Sequence, residues 1–378
     1  MIYLDHAATT FVKKEVFDEM EPYFTKKFGN PSAIYKLGEF NKETIKVARE
    51  KVARVINADS SEIYFTSGGS EADNFAITGV ALKNMYKGNH IITTKIEHKA
   101  VLNTCEYLKN LGFEISYIDV DKDGIVNLNM LKNSIKDSTI LISIMFANNE
   151  IGTIEPIQEI SEIARNNNIY FHTDAVQAVG NIKIDVKKLG VDLLSFSAHK
   201  FYGPKGVGAL YIKNRTKIDS LIHGGGQENK MRSGTENVPG IVGMGKAIEL
   251  SYRDFEENTK KVFSLKERLI NGLFNNISDI KLNGHRNNRL AGNVNVFING
   301  VNSTTLLYML NMKDIYVSSG SACNAANDTP SHVLKAIGLT DEEAHSSLRF
   351  TIGSENTEEE IDYVVKVLKE SVDKLRKL

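Results

Sequence analysis

Ile169-Tyr170-Phe171-His172-Thr173-Asp174-Ala175-Val176-Gln177 and Leu193-Leu194-Ser195-Phe196-Ser197-Ala198-His199-Lys200-Phe201-Tyr202-Gly203-Pro204-Lys205-Gly206 decide the fold. Each opens as a short β-rich apolar run and passes directly into polar and turn-forming residues. This is the pattern of a buried strand that ends in a loop. Upstream, Ile63-Tyr64-Phe65, His90-Ile91-Ile92-Thr93, Glu114-Ile115-Ser116-Tyr117-Ile118 and Ile140-Leu141-Ile142-Ser143-Ile144 have the same character, and Gly208-Ala209-Leu210-Tyr211-Ile212 follows downstream. Helical patterns separate most of them, as at 70–82 and 157–166. The alternation predicts an α/β fold with a mostly parallel seven-stranded sheet flanked by helices over residues 16–250. In such sheets functional groups collect just past the carboxyl ends of the strands.

From about residue 250 the pattern changes. A long charged helix over 252–274, strands over 293–297 and 347–352 and an amphipathic helix over 358–375 predict a smaller α+β domain, 251–378, with residues 1–15 packing beside it. Hydrophobic residues make up 42% of the 378 and charged residues 25%, an ordinary globular composition. A net charge of -1 gives no support to a nucleic-acid or anionic-membrane partner. No apolar run approaches the roughly 18 residues of a membrane helix. The N-terminus lacks a basic stretch followed by an apolar one, so a cytoplasmic location is expected.

Of the two cysteines, Cys105 recurs with Val101 and Leu108 at helical spacing and reads as a core residue. Cys323 stands among small and polar residues in Ser318-Ser319-Gly320-Ser321-Ala322-Cys323-Asn324-Ala325, the pattern of a loop that exposes a thiol.

Lys200 falls at a strand-to-loop position. A lysine in a low-dielectric cleft loses its proton readily and can form a Schiff base with an aldehyde cofactor, although most lysines are surface residues. Asp174 ends the preceding strand, where a carboxylate can pair with a protonated pyridine nitrogen; the alternative is a helix N-cap. Phe65-Thr66-Ser67-Gly68-Gly69-Ser70-Glu71 runs from strand through a Gly-rich turn into a helix, an anion site suited to a cofactor phosphate. Each motif is weak alone, and the three in this order are far more specific. Gly240-Ile241-Val242-Gly243-Met244-Gly245-Lys246 resembles a P-loop, but Ala247 stands where Ser or Thr is required. The nine histidines are scattered and no Gly-x-Ser-x-Gly occurs, so metal and serine-hydrolase readings lack support.

Motifs along nearly the whole chain closely resemble the NifS/IscS-type cysteine desulfurases, in the fold-type-I superfamily of pyridoxal-phosphate-dependent transferases. They include Tyr3-Leu4-Asp5-His6-Ala7-Ala8-Thr9-Thr10, Phe28-Gly29-Asn30-Pro31-Ser32, Glu97-His98-Lys99-Ala100-Val101, Asn148-Asn149-Glu150-Ile151-Gly152, Met231-Arg232-Ser233-Gly234-Thr235 and His345-Ser346-Ser347-Leu348-Arg349-Phe350, with the Cys323 segment.

The resemblance implies that Lys200 holds pyridoxal phosphate covalently and later moves protons. His98 would stack on the ring and act in acid–base steps, Asp174 would pair with the ring nitrogen and Gln177 with the ring hydroxyl. Gly69, Ser70, Ser197 and His199 would bind the phosphate, and Thr235 a phosphate in the neighbouring subunit of a homodimer. Asn149 and Arg349 would orient L-cysteine, Arg349 through a two-point contact with its carboxylate. Cys323 would take the sulfur as a persulfide for an acceptor such as an iron–sulfur scaffold. Read without the family, His98 would more often be a helix cap and Arg349 a surface ion-pair partner. The chain reaches Leu378 soon after its last helix, and weaker or different scaffold docking is expected because other members carry a further segment there. A selenocysteine lyase or an aminotransferase on the same fold, or a non-catalytic scaffold, are the alternatives; plain transamination needs no thiol.

Overall fold

The computed structural model describes residues 1–319 and 329–377. Cys323 and its neighbours 320–328 lie outside the described residues. Twelve strands are described: β1 (Ile2–Tyr3), β2 (Ile63–Thr66), β3 (His90–Thr94), β4 (Glu114–Ile118), β5 (Thr139–Ser143), β6 (Tyr170–Asp174), β7 (Leu193–Ser197), β8 (Gly208–Ile212), β9 (Ile280–Leu282), β10 (Asn293–Ile298), β11 (Ile315–Tyr316) and β12 (Ser347–Thr351).

The seven strands β2 to β8 form one sheet in the order β2-β8-β7-β6-β5-β3-β4. All neighbours from β7 to β4 are parallel; β8 alone runs antiparallel, to both β7 and β2. Strands β3, β5 and β7 are buried along their whole length, which explains their near-continuous apolar character; the edge strand β4 is more exposed. One face packs on a core that includes Val52, Ile142, Phe171 and Phe196, under the helices Lys36–Val55 and Val238–Arg253. The other packs on Phe75, Ile77, Ile91, Leu141 and Leu193, under Gly69–Asn84 and Lys99–Asn110. Cys105 is fully buried in this second core, and burial pushes its thiol up to about 12.

Beyond residue 250, β9, β10 and β12 form a small antiparallel sheet. The helices Phe255–Asn276, Ser303–Asn311 and Glu358–Leu375 cover it around Leu269, Val296, Leu306, Phe350 and Leu368. The long charged helix expected over 252–274 is Phe255–Asn276, while 252 and 253 close the preceding helix. Asp254 leaves helical geometry (φ -105, ψ 20) between Val238–Arg253 and Phe255–Asn276. Its carboxylate instead pairs with Arg253. The P-loop-like glycines lie inside Val238–Arg253, buried and helical, where their small size allows close packing: a Cβ on Gly243 would fall 2.4 Å from the Met20 sulfur.

The N-terminal segment crosses between the two cores. β1 pairs with β11, and Leu4 lies in the core of the small sheet with Leu269 and Phe350. From Ala7 onward the chain passes over the carboxyl edge of the large sheet, where Thr10 bonds the His199 carbonyl. No helix among the described residues is long and apolar enough to cross a membrane.

At that edge β8 presses against the turn before Gly69–Asn84. A Cβ on Gly208 would fall 2.7 Å from the Gly68 backbone and from the Phe196 carbonyl. Gly208→Ala should therefore cost about 1–3 kcal/mol through overpacking of backbone that cannot yield. Urea unfolding checks this, with a lowered midpoint as the expected result.

Candidate active site

The polar loops that follow β2, β3, β5, β6 and β7 converge on a cavity of about 290 Å³. Lys200 ends a short turn, Ala198–Lys200, directly after β7. Its Nζ donates to the carbonyls of Ala7 (2.5 Å) and Ala8 (2.8 Å), so the N-terminal segment holds the ammonium in place. Gln177 Nε2 donates to the same Ala7 carbonyl at 3.0 Å. His199 faces Thr9 Oγ1 at 3.1 Å; burial, then Lys200 and Lys205, hold it down to about 4, so its imidazole is neutral at pH 7.

The helix Gly69–Asn84 opens at Gly68 with no side-chain cap, leaving its first N–H groups directed at the cavity. Gly68 sits at φ 156, and a Cβ on Gly69 would fall 2.6 Å from Val176 Cγ2, so a side chain there would fill the cradle. Glu71 stiffens the turn. Its carboxylate accepts from the Ser67 N–H (2.8 Å) and pairs with Arg232 (2.9 Å).

Asp174 ends β6 and is buried, with Oδ1 accepting from the Val176 N–H at 2.9 Å. Burial raises its pKa, while His98 and Lys200 pull it back. Asp73 and Glu97, both buried, line the same cavity. Glu97 Oε1 accepts from Thr94 Oγ1 (2.6 Å) and the Met145 N–H (3.0 Å), and Oε2 has no partner. Burial pushes Glu97 up to about 8, so it holds its proton at neutral pH.

His98 caps the helix Lys99–Asn110, its Nδ1 accepting from the Ala100 N–H at 3.1 Å. When the ring is neutral, that bond places its proton on Nε2. The cap read from sequence alone and the cavity position implied by the family are thus one residue in both roles. Arg349, on β12, is buried rather than superficial: Nη2 pairs with Asp5 (2.6 Å) and Nη1 donates to the Asn149 carbonyl (3.1 Å).

The structure therefore brings together Gly69, Ser70, His98, Asn149, Asp174, Gln177, Ser197, His199, Lys200 and Arg349. Thr235 lies elsewhere, in a separate cavity with Tyr23, Phe28, Gly29 and Asn30. Cys323 is outside the described residues, but the chain on both sides of its segment reaches the site. Ser318 exchanges backbone hydrogen bonds with Arg349, and beyond the segment His332 Nε2 contacts the Glu97 carbonyl at 2.9 Å. Ser331 Oγ bonds Glu150 Oε2.

Sequence reasoning missed Asp5, Asp73, Glu97 and His332. Of these Asp5 and Glu97 each stood inside a quoted motif, where a closer look would have found them. An arrangement with a lysine, a buried carboxylate, a neutral imidazole and an uncapped helix N-terminus can hold a phosphorylated aromatic aldehyde and an amino-acid substrate.

The aminotransferase class-V family model matches residues 2–364. The chain is 55% identical over 379 residues to the cysteine desulfurase IscS of Clostridium botulinum (strain Hall), covering 100% of this chain and 96% of that protein. It is 56% identical over 377 residues to the cysteine desulfurase IscS of Methanosarcina thermophila, with 100% and 93% covered. A solved structure of a NifS-like protein superposes with a TM-score of 0.92 at 40% identity, covering 98% of each chain.

Because Glu97 binds its proton more tightly folded than unfolded, its ionisation works against folding. Its cost is absent below pH 4.5 and grows as pH rises toward about 8. Glu97→Gln keeps acceptor and shape without the charge. Urea midpoints across that pH range should fall less steeply in the variant than in the wild type; equal slopes would show that Glu97 is ionised in the fold.

Proposed function

The chain belongs to the class-V aminotransferase family and, within it, to the cysteine desulfurases, and from that premise we propose that it removes sulfur from L-cysteine, leaving L-alanine and a persulfide on Cys323. The observation that carries this reading is the convergence of Lys200, Asp174, His98 and the Gly69–Ser70 helix start on one cavity. These residues fit pyridoxal phosphate: the cradle at Gly69 admits no side chain, and the buried Asp174 carboxylate suits a cationic ring nitrogen. When bound, the cofactor supplies an aldehyde for amino groups and an electron sink.

The remaining steps belong to the chain. Lys200 would hold the cofactor covalently and, once released, move protons. Amides of Gly69 and Ser70, with Ser197 and His199, would bind the phosphate. Asp174 would hold the ring-nitrogen proton, Gln177 would bond the ring hydroxyl, and the His98 ring would stack with its Nε2–H free for proton transfer.

Arg349, aided by Asn149, would bind the substrate carboxylate, which must share the guanidinium with Asp5 or displace it. The Cys323 thiolate would bond the substrate sulfur as the carbon–sulfur bond breaks. The electron pair stays with carbon, which takes up a proton on the way to alanine. The persulfide would pass to an acceptor protein such as an iron–sulfur scaffold.

We assign residues 16–250 to the cofactor-binding domain and 251–378 to the smaller one that carries Cys323, with 1–15 packing beside the latter. A homodimer is supported by the exposed apolar side chains Phe17, Phe24, Phe28, Ile34 and Tyr35, an unusual concentration for a free surface. Thr235 shares a cavity with Phe28, so pairing through this face would bring it toward the neighbouring subunit. A nucleophilic thiol in a chain whose other cysteine, Cys105, is a buried free thiol suits the reducing cytoplasm.

Lys200→Ala should abolish turnover and the absorbance of the covalently bound cofactor. Cys323→Ala should keep that absorbance and lose sulfide release from L-cysteine in the presence of a reductant. Full activity in Cys323→Ala would exclude the persulfide route.

A further inference from the structure

Behind Asp174 lies a row of buried polar groups that the proposed reaction does not use. Ser143 Oγ on β5 contacts His172 Nδ1 on β6 at 2.8 Å, and His172 Nε2 contacts Ser195 Oγ on β7 at 2.8 Å. Ser195 in turn faces the carboxyl of Asp73, on the helix Gly69–Asn84, and draws its pKa down against the effect of burial. His172 Nε2 is 3.6 Å from Asp73 Oδ1, too far for a direct bond, and Oδ1 has no hydrogen-bond partner. All four side chains are at most 1% exposed. Asp73 alone of the four reaches the cavity, where it stands with Asp174 and Glu97.

Asp73 and Asp174 are both buried and line one cavity, and burial, then the Asp174 carboxylate, raise the Asp73 pKa well above the carboxylate range, which favours one proton between the two acids. Their partners decide which keeps it. Asp174 accepts from a backbone N–H and faces His98 and Lys200. Asp73 meets a serine hydroxyl, a His172 ring held neutral by burial at about 3, and the protonated Glu97. No cation is among the groups that act on Asp73; the Ser195 contact favours its anion, but burial and the neighbouring Asp174 outweigh it, and Lys200 and His98 favour the charge on Asp174.

We propose that Asp73 is a positioning residue: a neutral carboxylic acid, fixed by the Ser143–His172–Ser195 row, that keeps Asp174 the single anion facing the ring nitrogen. This rests on the reading of Asp174 given above. A neutral hydrogen-bonding group is what the position requires, so Asn should replace Asp73 and an apolar residue should not.

The test uses the holoenzyme. Infrared difference spectra at neutral pH between wild type and Asp73→Asn should show a carboxylic-acid C=O band that shifts in D2O and is lost in the variant; absence of that band overturns the proposal. The pH midpoint of the bound cofactor's visible absorbance should stay within ~0.3 unit in Asp73→Asn and move by more than ~1 unit in Asp174→Asn. Asp73→Leu should weaken pyridoxal phosphate binding roughly tenfold relative to Asp73→Asn, a factor that corresponds to about one pKa unit on Asp174.

If Asp73→Asn moves the midpoint as far as Asp174→Asn does, the charge sits on Asp73 and the proposal fails. It fails too if Asn and Leu bind the cofactor alike. If Asp174→Asn leaves the midpoint in place, the ring-nitrogen role of Asp174 is what fails, and the infrared band still judges Asp73 separately. Should the Leu variant not fold, the Asn comparisons decide the matter.

Discussion

The parallel run of β3, β5, β6 and β7 is the constraint on which the site depends. Parallel strands share a direction, so their carboxyl ends open on one edge, and the loops that follow them deliver His98, Asn149, Asp174 and Lys200 to neighbouring positions. The antiparallel β8 preserves this order. By running backwards between β7 and β2 it leaves β2 pointing the same way as the parallel set, so the turn at Gly68 joins the edge.

That edge gathers charge in a place that excludes water. Three buried carboxyls at one corner would be untenable as three anions, since burying an isolated charge costs far more than any single hydrogen bond returns. Burial raises Glu97 and Asp73, which favours their protonated forms, while Lys200, His98 and a backbone N–H favour the ionised form of Asp174. The same logic governs Arg349. A buried guanidinium needs an anion, and Asp5 provides one.

How much of this was legible follows from the range of each interaction. The seven sheet strands lay within a residue or so of their expected positions, because continuous apolar runs and the turns that bound them are local signals. Helix 157–166 was equally plain from its apolar period. The break at Asp254 was not, since the charged pattern continues across it and only backbone geometry shows the stop. Asp73 was invisible for another reason: it sits on a helix buried on nearly all sides, where a polar residue has no period to mark it. The pair Asp5–Arg349 joins residues 344 apart, and no window along the chain contains both. Gly69, Ser70, His98, Asn149, Asp174, Gln177, Ser197, His199, Lys200 and Arg349 converged, whereas Thr235 stands apart within a single chain and Cys323 lies outside the described residues.

The crossing of the first eight residues has a consequence for the order in which the molecule comes into being. Ile2 and Tyr3 need Ile315 and Tyr316 as partners, and the Leu4 carbonyl needs the Thr351 N–H. A ribosome makes the former long before the latter. The nascent chain must therefore carry its opening segment unpaired until residue 351 has emerged, while the large sheet has every strand it requires by residue 212. The carbonyls of Ala7 and Ala8 that hold Lys200 reach their place only when that late pairing closes. The scaffold of the site thus exists well before the strap across it, and the start of the chain is among the last parts to be built in.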